Sequence, residues 1–119
     1  MRILTVDDSP TVSQMLKATL VAAGYEVVQA ENGQEGLKVL KKNQVDLIIS
    51  DVNMQKMGGF EFVTQVREDP DYMGLPILFL TTEASDDFKQ IGRDIGATGW
   101  LEKPFDPDEL LKVVRRVTH

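Results

Sequence analysis

Apolar runs in this chain repeatedly end on side chains able to do ionic chemistry. The run 2–6 leads into Asp7 and Asp8, and the run 45–51, Val-Asp-Leu-Ile-Ile-Ser-Asp, ends on Asp51 with Asn53 two residues on. Other runs end at Ala30 and Glu31, at Thr81 and at Lys103. Asp51 is the candidate reactive residue, because a carboxylate placed where a buried strand leaves its sheet is available to a ligand. If the strands are parallel, all these ends share one edge of one sheet, the edge at which open α/β folds bind ligands. Two carboxylates about 5 Å apart repel by roughly 3 kcal/mol at an effective dielectric near 20, so a third makes the cluster unstable without a cation. Hard oxygen ligands with no His or Cys select Mg²⁺ or Mn²⁺, and a site with few protein ligands suits Mg²⁺, which keeps waters and bridges to phosphate oxygens. Lys103 then reads as a phosphate-binding cation and Thr81 as a hydroxyl donor. Asp51 is either a ligand alone or a nucleophile that takes up a phosphoryl group as an acyl phosphate.

Each of these residues also has an ordinary structural reading. Asp7 and Asp8 could be a solvated pair at a helix N-terminus, Asp51 a turn residue, Lys103 a surface charge and Thr81 a strand-end hydroxyl. Their joint placement at strand ends favours the functional reading.

The elements that position them alternate along the chain. Residues 2–6 form a short buried strand, after which Ser9 caps a helix with Pro10 at its first position. Val12, Met15, Leu16, Thr19, Leu20 and Ala23 recur inward at helical spacing, and Gly24 closes the helix. A second strand at 25–30 is followed by the capping box Asn32-Gly33-Gln34-Glu35 and a helix to about Lys42, turning Leu37, Val39 and Leu40 inward. The third strand is 45–51, and beyond a loop at 55–59 a helix carries Phe60, Phe62, Val63 and Val66 until Asp69-Pro70 stops it. The fourth strand is 75–81. Ser85-Asp86-Asp87 opens a fourth helix with Phe88, Ile91 and Ile95 inward and Gly96 at its end, weakened in its interior by Gly92. A fifth strand at 98–102 precedes Asp106-Pro107-Asp108-Glu109, which caps a last helix bearing Leu110, Leu111, Val113, Val114 and Val117. The expected fold is α/β, a doubly wound five-stranded parallel sheet of flavodoxin-like order 2-1-3-4-5 with right-handed crossovers and helices on both faces. In that order the first and third strands are neighbours, so Asp7, Asp8 and Asp51 flank the switch-point crevice.

With 119 residues, the expectation is one domain spanning 1–119. A composition 42% apolar and 27% charged is that of an ordinary globular protein, without low complexity. The formal charge of -6 argues against nucleic-acid or anionic-membrane binding and for a cation or a basic protein face as partner. The chain has no cysteine, so disulfides and thiolate metal sites are excluded. A strand follows Met1 directly and no run nears the roughly 20 apolar residues of a membrane span, so the cytoplasm is the expected compartment. A monomer is the expected state.

Four motifs carry a resemblance: Val-Asp-Asp-Ser near the start, Ser-Asp-Val-Asn-Met in the middle, Leu-Thr-Thr-Glu-Ala later and Glu-Lys-Pro-Phe near the end. Together, and over the full length, the chain resembles the receiver domains of two-component response regulators, most closely the single-domain chemotaxis (CheY-like) type. The resemblance implies that Asp51 is the phosphoacceptor, that Asp8, Asp51 and the backbone carbonyl of Asn53 ligate Mg²⁺ with Asp7 acting through a water, and that Thr81 and Lys103 hold phosphoryl oxygens. It implies a cis Lys103-Pro104 bond, a switch formed by Thr81 and the aromatic at Trp100, and weak phosphotransfer and self-dephosphorylation rather than dedicated enzyme activity. The implied partners are a sensor histidine kinase and a downstream protein bound at the face of the fourth helix, fifth strand and fifth helix, in chemotaxis or a related pathway.

The chain departs from the family pattern at several positions. Gln55 and Gly58 stand where a proline and an acid are usual, so the loop is expected to be more mobile. Trp100 replaces Tyr, Phe or His, and its larger indole is expected to turn inward less readily. Thr82 adds a second hydroxyl, and Asp86 and Asp87 make the output face acidic, which weighs against a flagellar-motor target. The competing readings are a phosphate sink for a shared kinase and a phosphate-independent interaction domain. An FMN-binding carrier of this fold would place a hydroxyl- or Gly-rich phosphate loop where Asp7 and Asp8 stand, and an aspartate-nucleophile phosphatase would want an acid two residues after its first-strand nucleophile. This chain has neither.

Overall fold

The computed structural model describes residues 1–82 and 85–118. Glu83 and Ala84, which belong to one of the motifs above, lie outside the described residues. Five strands, β1 (Arg2–Val6), β2 (Glu26–Ala30), β3 (Leu47–Ser50), β4 (Ile77–Thr81) and β5 (Gly99–Glu102), form one parallel sheet in the order β2-β1-β3-β4-β5. They alternate with α1 (Pro10–Ala22), α2 (Gly33–Lys42), α3 (Gly59–Glu68), α4 (Asp86–Ile95) and α5 (Pro107–Val117). The flavodoxin-like α/β architecture expected from the alternation is therefore present. Among the described residues no helix is long and apolar enough to cross a membrane.

The strands read as unbroken apolar runs because both faces of the sheet are covered. Their residues alternate between two cores. Leu4, Val6, Ile48, Ile77 and Phe79 pack with Leu40, Phe62, Val66 and Phe88 beneath α2, α3 and α4. Ile3, Leu47, Ile49, Leu78 and Leu80 pack with Leu16, Leu20, Leu110 and Val114 beneath α1 and α5. The helix starts follow the side chains that cap them: Ser9, Asn32, Ser85 and Asp106 each accept a hydrogen bond from a backbone N–H of the first turn. Gly24 and Gly96, both at positive φ, close α1 and α4.

The structure trims and turns several expected elements. The third strand starts at Leu47 rather than 45, because Asp46 is taken up by Arg2: its carboxylate accepts from Arg2 N at 2.8 Å. The fourth starts at Ile77 rather than 75, since Pro76 has no N–H to give the ladder, although its carbonyl accepts from Ile48 N. The second and fifth begin one residue later than expected, at Glu26 and Gly99. Met15 and Ala23 face solvent, because α1 buries only the narrow line through Leu16 and Leu20. Ile91 is also exposed, because the inward line of α4 runs through Phe88, Gly92 and Ile95.

One connection has structure that periodicity did not suggest. After Asp69 the chain makes a 3-10 turn at Pro70–Tyr72, with the Asp69 carboxylate accepting from Asp71 N at 2.9 Å. Arg67 lies over it, donating to the carbonyls of Tyr72 and Met73 and, from Nε and Nη2, to Gly96 O at 3.1 and 2.9 Å. A single side chain thus joins α3, the turn and the end of α4.

Candidate functional site

Register alone brings two of the acids together. Val6 pairs with Ser50 across β1 and β3, so Asp7 and Asp51 each leave the sheet one step beyond a paired residue, side by side. The backbone continues the ladder at that point, with Asp51 N donating to Val6 O at 2.8 Å and Asp7 N to Ala30 O at 3.1 Å. Carboxylate oxygens of Asp7, Asp8 and Asp51 all lie within 4.8 Å of one another. Asp7 and Asp51 are buried, at 2% and 8% exposure, whereas Asp8 faces solvent.

Asp51 is held firmly. The Ser50 hydroxyl donates to its backbone carbonyl at 2.8 Å, and its Oδ1 accepts from Val52 N at 2.8 Å. The start of α3 lies directly against it: a Cβ on Gly59 would overlap Asp51 O and stand 2.9 Å from Val52 Cα. Only glycine permits that approach. Asp51 Oδ2, the oxygen left over, is 3.4 Å from Lys103 Nζ.

Lys103 follows β5 and reaches the acids across the sheet edge, placing Nζ 3.0 Å from Asp7 Oδ2 as well. The sequence suggested a cation reserved for phosphate; the structure shows the ammonium as the counter-charge of the cluster itself. The Lys103-Pro104 bond is cis, as the resemblance implied. Burial pushes the Asp51 carboxyl above its ordinary value of 3.8 and the Asp7 charge adds to the rise, while Lys103 and the Val52 N–H offset part of it. Burial draws Lys103 down, but its hydrogen bonds and attractions to Asp7 and Asp51 prevail and leave it raised.

Thr81 is buried at the end of β4, paired with Glu102, and its carbonyl accepts from Lys103 N at 2.8 Å, so the residue stands at the same edge. Asn53 lies two residues past Asp51 at the exposed start of the loop into α3. That loop is tied down at its middle: Met57 is 8% exposed, packs on Gly33 and accepts at its carbonyl from Gly33 N at 2.9 Å. Thr82 is exposed, as are Asp86 and Asp87.

Trp100 stands on β5 opposite Phe79. Its ring lies inward, 5.5 Å from that of Phe79 and 6.0 Å from that of Phe88. In the sequence Gly59 reads as part of a loop and Gly92 only as a weak point of the fourth helix; the signal of their contact roles was a glycine at the first position or in the interior of a helix.

The donor set fits a hard divalent cation. Among the described residues three carboxylates converge without His or Cys, two of them buried, at an edge bordered by a hollow of about 420 Å³ whose lining includes Ser13, Gln14, Gln29 and Glu31. The model for the response regulator receiver domain matches residues 3–115. The chain belongs to the response-regulator receiver family. The receiver is 53% identical to the chemotaxis response regulator CheY4 of Vibrio cholerae, whose solved structure it matches with a TM-score of 0.93 over 98% of this chain and 97% of that one. It is 35% identical to the protein PilH of Pseudomonas aeruginosa over 98% of this chain and 96% of PilH. It is 42% identical to the transcriptional regulatory protein YvrH of Bacillus subtilis, but there spans only 47% of the relative. It is thus a CheY-like receiver of the two-component type, a family that works as a phosphorylation switch and binds Mg²⁺ at an acidic pocket.

Proposed function

We propose that Asp51 accepts a phosphoryl group from the phosphohistidine of a sensor histidine kinase, and that residues 1–119 act as one receiver unit whose partner affinity changes in response. The observation that carries this reading is the arrangement of Asp51 Oδ2: its sister oxygen is taken by Val52 N, and it faces Lys103 Nζ at 3.4 Å on the edge shared with Asp7 and Thr81. In the transfer, Asp51 Oδ2 bonds to phosphorus while the phosphorus–nitrogen bond of the donor breaks, the imidazole keeping the electron pair and taking a proton from water. Lys103 shifts from the acids towards the phosphoryl oxygens, and the Thr81 hydroxyl donates to another. Asp8, Asp51 and the carbonyl of Asn53 would hold Mg²⁺ directly and Asp7 through a water; when bound, the ion neutralises charge building on the phosphoryl oxygens. Hydrolysis of the acyl phosphate by water resets the switch.

The output runs from Thr81 through β5 to the surface of α4, β5 and α5, with Trp100 at its centre. A phosphoryl group brings about two negative charges to Asp51, enough to draw Thr81 and Lys103 inward and shift the population of packings on that face. The setting in this reading is a monomeric cytoplasmic protein acting in chemotaxis or a related pathway, and the likeness to a chemotaxis response regulator is what favours the pathway. The test is Asp51→Asn with a small-molecule phosphodonor and Mg²⁺: intact-mass measurement shows one phosphoryl addition in the wild type and none in the variant. Full modification of the variant would overturn the assignment.

A further inference from the structure

α4 carries a buried glycine, Gly92, in its interior, where glycine disfavours the helix relative to alanine. Its surroundings explain it. A Cβ built there would overlap Cη2 of Trp100 and stand 2.5 Å from Cζ2 and 3.0 Å from Cζ3. The outer edge of the indole therefore rests on bare helix backbone. Phe79 and Phe88 flank the ring, and Phe88 is backed by Phe60 at 4.9 Å. Trp100 Nε1 is buried and has no hydrogen-bond partner among the described residues, so shape rather than a polar contact holds the ring. On the solvent side of β5, Trp100 also borders a hollow of about 410 Å³ lined by Lys89, Leu101, Glu102, Phe105 and Glu109.

We propose that Gly92 is the positioning residue for Trp100: the notch it leaves in α4 seats the indole inward and so keeps the hollow between α4, β5 and α5 open. The clashing atoms are those by which an indole exceeds a phenyl ring, so the notch is specific to tryptophan. A side chain at 92 and a seated indole cannot coexist, and a displaced ring has the neighbouring hollow as its open space. The geometry answers the expectation that an indole turns inward less readily, since the helix has given up a side chain to admit it. The consequence for a partner rests on the proposed function; the seating itself does not, and it is tested without phosphodonor or partner.

The test is Gly92→Ala in the full chain, in the wild-type and Trp100→Phe backgrounds. Trp100 is the only tryptophan, so emission reports its seat directly. In the wild-type background the alanine is expected to red-shift emission, raise accessibility to acrylamide and lower the melting temperature. With Phe at 100, which ends short of the notch, the same alanine is expected to raise the melting temperature, as its helix preference dictates. Should Gly92→Ala alone fail to fold while the double variant folds, the pairing is supported by that rescue. Unchanged emission and quenching, or a melting shift of the same sign and size in both backgrounds, would overturn the proposal. Loss of phosphorylation at Asp51 leaves these readouts untouched, so the two readings fail separately.

Discussion

Lys103 Nζ stands 3.0 Å from Asp7 Oδ2, nearer than its 3.4 Å approach to Asp51 Oδ2. The lysine leaves β5 and the aspartate leaves β1, so this ion pair spans the ends of β3 and β4, which lie between them in the sheet. Asp7 is almost fully buried, and without the ammonium it would face Asp51 unshielded. Lys103→Met is therefore expected to lower stability by about 3 kcal/mol in chelator at neutral pH, the lower end for a broken buried pair because one side of the lysine meets solvent. Urea unfolding measures it, and adding Asp7→Asn is expected to recover much of the loss. Because the folded pKa of Lys103 is raised, the pair's contribution is complete below the ordinary value of 10.5 and disappears as pH rises through the folded value. The gap between wild type and Lys103→Met should close over that alkaline window; a gap that persists would show that packing of the lysine stem, not its charge, holds the edge.

Asp51 sets a slope of the same sign at acid pH. Its carboxyl keeps its proton to a higher pH in the folded chain than in the unfolded one, so stability falls as pH climbs from 3.8 through the raised folded pKa. Asparagine cannot titrate. In metal-free buffer Asp51→Asn is expected to be more stable than wild type at neutral pH, with the difference shrinking as pH falls towards 3.8. Thermal melts at matched pH decide it, and a difference that grows on acidification would contradict the assigned shift.

Metal binding should act on the same cluster. A ligand that binds only the folded chain stabilises it by about 2.7 kcal/mol at one hundred times its dissociation constant. Mg²⁺ is expected to raise the melting temperature of the wild type, and Asp8→Ala, which removes the exposed member of the three carboxylates, is expected to lose most of that response. Equal shifts in both proteins would place the cation elsewhere.

Arg67 is a stabilising contact of a different kind. Its guanidinium donates to carbonyls of Tyr72, Met73 and Gly96, joining α3 to the end of α4. Arg67→Ala is expected to cost about 2 kcal/mol, since hydrogen bonds from a charged donor count for more than neutral ones. Hydrogen exchange should quicken at the amides of Gly96 and Ala97, which close α4. Unchanged exchange there would mean that α4 ends without help from the arginine.

Local pattern determined much of this protein before any contact was known. The alternation of apolar runs with capped helical stretches, Ser9-Pro10, Asn32, Ser85 and Asp106 among the caps, dictated a parallel five-stranded sheet, and a parallel sheet puts Asp7, Asp51, Thr81 and Lys103 on one edge whatever the detailed packing. Those features rest on periods of two and 3.6 residues and on turn chemistry, which act between near neighbours in the chain. Tertiary structure alone decided what depends on distant segments meeting. The strands at Leu47 and Ile77 were cut short by Arg2 bonding Asp46 and by a proline in the ladder; Met15 and Ile91 were turned out by the rotation of their helices on the sheet. Lys103 became the partner of Asp7, and Gly59 and Gly92 became contact points for Asp51 and Trp100, because a spacing in sequence does not encode which atoms from the far side of the fold arrive within a few ångströms.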